Sequence, residues 1–395
     1  MSIFAKRKRP FRANWPLFWG LLFTPFFLTG QLSLEGSVHD EAGLPLVGAN
    51  VYLPDLQRGT TTDDGGAFQL SVPVGVHQVE ITYVGFAPYE KEVVASQGMS
   101  PLAIILKETP LSTGLILVSA TRADARTPMT YANLEREELE RNNLGQDVPF
   151  LLRWTPSTVV TSDAGAGIGY TGIWIRGSDP TRTNVTINGI PLNDAESQGV
   201  FWVDLPDFTS SAEDIQIQRG VGASTNGAGA FGATINLNTS KVYAEPYASI
   251  STGLGSFNSR RGTLRFGTGR IKEHFTVDGR ISRITSDGYI DRASADLTSW
   301  HLSGAWMNAK SSLRLNAFSG HEVTYQAWNG VPAEYVDDPV LRTYNSAGTE
   351  KEGEPYDNEV DDYQQTHFQL LFNHQWNDQW YLNLAGHYTL GEGFF

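Results

Sequence analysis

The chain has 395 residues, enough for two or three domains, and its 40 glycines and 19 prolines favour turn-rich β structure over long helices. It has no cysteine, which excludes a disulfide framework, a thiol nucleophile, a cysteine metal site and a lipoprotein anchor. The net charge is −14, and setting aside the five cations of the first 30 residues leaves −19 on the rest, a surface that repels nucleic acid.

Residues 1–30 place Lys6, Arg7, Lys8, Arg9 and Arg12 ahead of an apolar run over 15–29. That run is short for a spanning helix, which needs about 20 apolar residues. The layout is that of a secretory signal peptide, with an uncleaved anchor as the alternative. Cleavage after Gly30 leaves Gln31 first, although Leu28 suits the cleavage signal poorly. No later segment reaches the length of a transmembrane helix, so any membrane span must be β.

Residues 31–108 form a first unit. Short alternating runs such as Val79–Phe86 are separated by Asp/Gly turns, as in a small β-sandwich. The turn Asp63-Asp64-Gly65-Gly66 supplies the positive φ a tight hairpin needs, and calcium binding by Asp63 and Asp64 is the alternative role. Residues 109–117 form a linker. The next unit, 118–240, opens with Val118–Arg122 and predicts a short helix over Leu134–Asn143. The glycine-rich stretch Ser162–Tyr170 is neither a phosphate loop nor a dinucleotide fingerprint, because it lacks Gly-Lys-Ser/Thr and the G-x-G-x-x-G spacing.

From 245 to 395 the pattern changes to segments of roughly ten residues that alternate polar and apolar, the signature of transmembrane β-strands. Seven are expected: 247–255, 261–267, 274–284, 298–307, 312–318, 368–376 and 381–388. The intervening turns are short except for one long acidic and aromatic loop over 320–362. A soluble all-β domain is the competing reading. Seven strands do not close a plugged transporter barrel of about 22 strands, so the sequence reads as the start of a barrel rather than a closed one.

One family fits these features. The run from Ile175-Arg176-Gly177 to Asn236-Leu237-Asn238 contains Asn184–Asp194 and the glycine-dense Gln218–Asn236. With Asp147–Ser157, it resembles the plug domain of TonB-dependent outer-membrane receptors. Residues 36–107 resemble the carboxypeptidase-regulatory-like domain that precedes the plug in Bacteroidetes-type receptors. The resemblance implies a mainly β chain: a β-sandwich, an α+β plug, and the first strands of a transmembrane antiparallel β-barrel set in outer-membrane lipid.

It also implies active uptake of a scarce ligand such as a ferric siderophore or other iron complex. The implied energy source is TonB, driven by an inner-membrane ExbB/ExbD-type complex, with no covalent chemistry and no cofactor. By family topology, Tyr170, Gln198, Phe201 and Trp202 of the plug and Tyr325 and Trp328 of the long loop face the ligand. Arg176 and Arg219 are candidates for switchable plug–barrel ion pairs. Leu115, Ile116, Leu117 and Val118 are candidates for strand addition to TonB. Structural packing competes with each of these roles.

Other functions remain open. One is a glycan importer working with a surface lipoprotein lid, although Ile187-Asn188-Gly189 lacks the aspartate usual there. A ligand-binding envelope protein without transport is another. An enzyme has no support, for no Ser/His/Asp arrangement, H-E-x-x-H or G-x-S-x-G occurs. His321, His367, His374 and His387 have no metal-ligand spacing.

Overall fold

A computed structural model describes residues 31–83, 86–107, 122–123, 127, 129–222, 226, 229–272, 274–308, 310–377 and 379–395. The expected signal peptide and the expected TonB segment Leu115–Val118 lie outside the described residues. The chain divides into two units, Met1–Glu108 and Thr109–Phe395.

Among its described residues the first unit has seven strands: β1 (Gln31–His39), β2 (Asn50–Leu53), β3 (Arg58–Thr61), β4 (Ala67–Pro73), β5 (Gly75–Thr82), β6 (Tyr89–Ala95) and β7 (Leu102–Ile105). They form two sheets, β4-β1-β7 and β3-β2-β5-β6. Alternation fixes which side of each strand is buried. In β5, His77, Val79 and Ile81 turn inward, and Val79 and Ile81 join Leu34, Val38, Val51 and Leu53 in one core. The Asp63 carboxylate accepts the backbone N–H groups of Gly65 and Ala67, each at 2.9 Å, so it serves the turn. Gly66 sits there at φ +74°, and a Cβ would lie 2.6 Å from the Val38 carbonyl oxygen.

The second unit begins with β8 (Thr130–Glu135), α1 (Arg136–Asn142), α2 (Val148–Leu152), β9 (Thr158–Ser162), β10 (Thr171–Ile175), β11 (Thr183–Ile187), β12 (Ile190–Pro191), β13 (Asp214–Arg219) and β14 (Ala233–Asn238). Five strands make a sheet in the order β12-β11-β14-β13-β8, in which β11 and β14 are parallel. The helix expected over Leu134–Asn143 starts later, because Leu134 and Glu135 pair with β13 instead. At 7 residues α1 is too short to be stable alone. Leu139, only 1% exposed, anchors it in a core with Leu151, Ile175, Ile187, Ile215 and Ile235.

Seven antiparallel strands follow: β15 (Tyr247–Leu254), β16 (Arg260–Gly267), β17 (Phe275–Ser286), β18 (Ala295–Met307), β19 (Ser311–Tyr325), β20 (Val360–Gln375) and β21 (Tyr381–Phe394). All seven expected strands are present. The long loop is shorter than 320–362, because β19 and β20 stay paired as far as Tyr325 and Val360. The two faces of the sheet differ sharply. In β18, Ser299, His301 and Ser303 are buried, while Trp300 and Leu302 between them are exposed. Phe266, Ile281, Leu315, Phe368 and Leu370 continue this exposed apolar face. A polar inner and an apolar outer face is the pattern of a strand between lumen and lipid. The plug-forming part of the unit covers the polar face, and the candidate site lies along that contact.

Candidate functional site

The segment Trp202-Val-Asp-Leu-Pro-Asp207 carries two acids through an apolar run. Its 3-10 turn, Trp202–Asp204, and the next one, Phe208–Ser210, press against the sheet. Phe208, 2% exposed, packs its ring 5.3 Å from Phe318 and 6.2 Å from His301 on the wall.

Asp207 is the centre of the contact. One carboxylate oxygen accepts from Arg261 at 2.9 Å, Ser210 at 2.7 Å and Asn143 at 3.0 Å. The other accepts from Thr263 at 2.5 Å and Ser282 at 2.7 Å and lies 3.8 Å from Arg280. Burial alone would raise this carboxyl. The guanidiniums of Arg280 and Arg261 and the two hydroxyl donors outweigh it and hold the group below the ordinary carboxylate value. Arg280 also donates to Ser211 at 2.7 Å and to the Pro206 carbonyl at 3.2 Å. Further along, Arg314 donates to the Ser240 carbonyl at 2.8 Å, and Asn188 donates to Gln369 at 3.1 Å.

The plug–wall cations therefore come from the sheet, whereas the sequence pointed to Arg176 and Arg219 of the plug. Arg176 is exposed at φ 54°, and Arg219 donates to the Pro156 carbonyl at 3.1 Å within the plug. Neither is in an ion pair among the described residues.

A second contact lies at the other edge of the same segment. Tyr170 ends the glycine-rich loop, and its hydroxyl donates to Asp361 of β20 and points at Glu322 of β19 from 3.4 Å. Burial first, then the neighbouring Glu322, pushes the Tyr170 phenol above its ordinary value. Asp204 is 6% exposed and accepts no hydrogen bond through its side chain among the described residues. Burial, reinforced by the charge of Asp361, raises its carboxyl to about 7. The Tyr170 ring stands edge-on to Phe201 at 6.5 Å and to Trp328 at 5.4 Å. Phe201 is 48% and Trp328 42% exposed.

The structure thus brings Tyr170, Phe201 and Trp328 together. Trp202 is a correction: it is 3% exposed and belongs to the plug core, because the 3-10 turn directs its indole inward. Gln198 is exposed in a turn at φ 59°, and its carbonyl accepts from Asn193 at 2.9 Å. Tyr325 is buried, donates to the Tyr356 carbonyl at 2.5 Å and has the Arg292 guanidinium over its ring, so it ties down the long loop. Asp204, Asp207, Arg261, Arg280, Glu322 and Asp361 were not singled out from sequence. The one readable signal was the pair of acids inside Trp202–Asp207. No cluster of metal ligands occurs among the described residues.

Comparison with known proteins bears on the domains and the fold. Residues 34–118 match the CarboxypepD_reg-like domain, and residues 123–234 match the TonB-dependent Receptor Plug Domain. The metal-pseudopaline receptor CntO of Pseudomonas aeruginosa is 28% identical over 197 residues, covering 48% of this chain and 26% of that protein. The TonB-dependent receptor SusC of Bacteroides thetaiotaomicron is 36% identical over 78 residues, covering 20% of this chain and 7% of that protein. In fold, the chain is similar to the ferric-catecholate import receptor Fiu of E. coli K12 with a TM-score of 0.53 and 18% identity, over 68% of this chain and 40% of that one. It spans about a quarter of the length of the first curated relative.

Proposed function

Because the chain belongs to the TonB-dependent receptor family and its seven-stranded sheet is outer-membrane barrel structure, we propose that it serves active uptake of a scarce ligand, a ferric siderophore or other iron complex. The observation that carries this reading is the meeting of Tyr170 and Phe201 from the plug with Trp328 from the long loop. Rings presented from both parts form one surface that can grip a planar ligand, and moving the plug takes that surface apart. The roles of relatives such as the metal-pseudopaline receptor support a metal complex as cargo. TonB, energised by an ExbB/ExbD-type complex, pulls on the plug in this reading, and Leu115, Ile116, Leu117 and Val118 form the contact strand. In the same reading Gln198, exposed in its turn, is a further ligand contact. Arg176 and Arg219 remain candidates for switchable pairing during that movement.

The experiment is ligand binding by the full-length receptor in detergent, followed through quenching of tryptophan fluorescence by ferric chelates. Binding at micromolar concentration or below, weakened at least tenfold by Trp328→Ala, is the expected result. Absence of quenching by any ferric chelate would count against an iron complex as the ligand.

A further inference from the structure

Resting on the uptake reading, in which TonB pulls on the plug from its N-terminal side, we infer that Gln216 and Asp214 form the latch this pull opens. They hold Arg122 and Ala123, the first described residues of the plug, against the polar face of its sheet. That contact parts under tension while the apolar face of the sheet stays closed.

The five-stranded sheet has two unlike faces, and both are buried. Ile187, Ile215, Ile217 and Ile235 point into the plug core. On the other face the register sets Thr186, Asn236, Gln216 and Asn133 in one row across β11, β14, β13 and β8. Thr186 is 4%, Asn236 3% and Gln216 1% exposed.

Gln216 uses all of its hydrogen-bonding capacity. Its Oε1 accepts the Ala123 N–H at 2.7 Å and the Gln218 amide at 2.9 Å. Its Nε2 donates to the Ala123 carbonyl at 2.9 Å and to Asn133 at 2.7 Å. A side-chain amide has two donor hydrogens and two acceptor sites, so none is left over. Both main-chain groups of Ala123 therefore end on one side chain, as they would on a partner strand. Beside them Arg122 is ion-paired with Asp214, which precedes Gln216 on the same side of β13. Gln218 carries the network on to Asn226 of the glycine-dense segment, at 2.8 Å.

Tension applied ahead of Arg122 reaches these bonds before any later contact of the plug. Each is modest on its own, and water satisfies the amide and carboxylate groups as they separate. Opening the opposite face would instead expose buried isoleucines, which water does not repay. The two faces thus set where a pull takes effect: the start of the plug comes away and the core of the sheet remains.

The test is a tether in the full-length receptor, with a ferric trihydroxamate as the probe. Arg122→Cys/Asp214→Cys is bridged with a reducible bis-methanethiosulfonate reagent, and residues 1–395 supply no competing cysteine. The bridged receptor should bind the chelate as the parent does, yet accumulate no more iron than cells without TonB. Reduction should restore accumulation, which loss of a merely structural pair would not allow. In a second variant, Gln216→Met keeps the side-chain volume and removes the bonds to Ala123. Tryptic cleavage after Arg122 should then speed up about tenfold, with binding of the chelate unchanged. Undiminished uptake by the bridged receptor, or cleavage after Arg122 no faster in Gln216→Met, overturns the inference and leaves the uptake reading intact. A parent receptor that accumulates no ferric trihydroxamate counts against the uptake reading instead, and the tryptic rates still decide whether Gln216 holds the start of the plug.

Discussion

Asp207 of the plug and Arg280 of the wall lie 3.8 Å apart, 3% and 3% exposed, with Arg261 completing the contact 2.9 Å from the other carboxylate oxygen. A buried charge stripped of its partner is far more costly than an intact pair is stabilising. Losing Asp207 therefore strands two guanidiniums. Asp207→Asn should weaken plug docking by roughly 3–5 kcal/mol, read as earlier denaturant unfolding and faster proteolysis of the plug in detergent. The pH sign also follows. The folded carboxyl titrates below its ordinary value, so its contribution is complete above about pH 4 and is lost as pH falls through the lower folded value.

Asp204 gives the opposite sign. Its folded value is raised from 3.8 to about 7, so between those values the folded state holds a proton that the unfolded state releases. Stability from this group falls as pH rises through that window and levels off above it. In Asp204→Asn, unfolding midpoints measured at pH 5 and pH 8 should lie closer together than in the parent protein, with the gain at pH 8. An unchanged difference would remove Asp204 from the account.

Gly320 shows how tightly the wall meets this segment. A Cβ there would lie 2.0 Å from the Asp204 carbonyl oxygen and 2.7 Å from Pro206. Gly320→Ala must displace the turn that holds Asp204, and overpacking of this kind costs about 1–3 kcal/mol. Ligand quenching at Trp328 should weaken with it, although Gly320 touches no ligand. Normal binding and stability would show that the turn moves freely.

Phe208→Ala tests the apolar half of the same contact. The ring is buried against Phe318 and His301, and removing a buried phenylalanine costs about 3–5 kcal/mol. Thermal unfolding of the plug should fall markedly, while the first unit should unfold as before. Equal loss in both units would argue against a separate plug contact.

Much of this architecture is legible in the sequence. Alternation places Trp300 and Leu302 outside and Ser299 and His301 inside, so the strands of the sheet follow from period alone. Strand ends are less visible: the polar run around His321 and Asp362 reads as loop until the ladder from Thr324 to Asp361 is seen. Tyr170, Phe201 and Trp328 were candidates through the resemblance to the family and its topology, whereas the meeting of their rings is visible only in the structure. Arg280 and Arg261 were not, because each is an ordinary inward residue of an alternating strand until Asp207 is placed opposite. Trp202 misled for a related reason. A tryptophan beside exposed Phe201 reads as surface, and only the 3-10 turn sends it into the core.

The most direct test of the central claim is accumulation of radioactive iron, supplied as a ferric chelate the receptor binds, by cells producing the full-length protein with and without TonB. The expected result is accumulation that requires both TonB and the proton gradient. Accumulation that persists without TonB, or no accumulation of a chelate that is demonstrably bound, would contradict it.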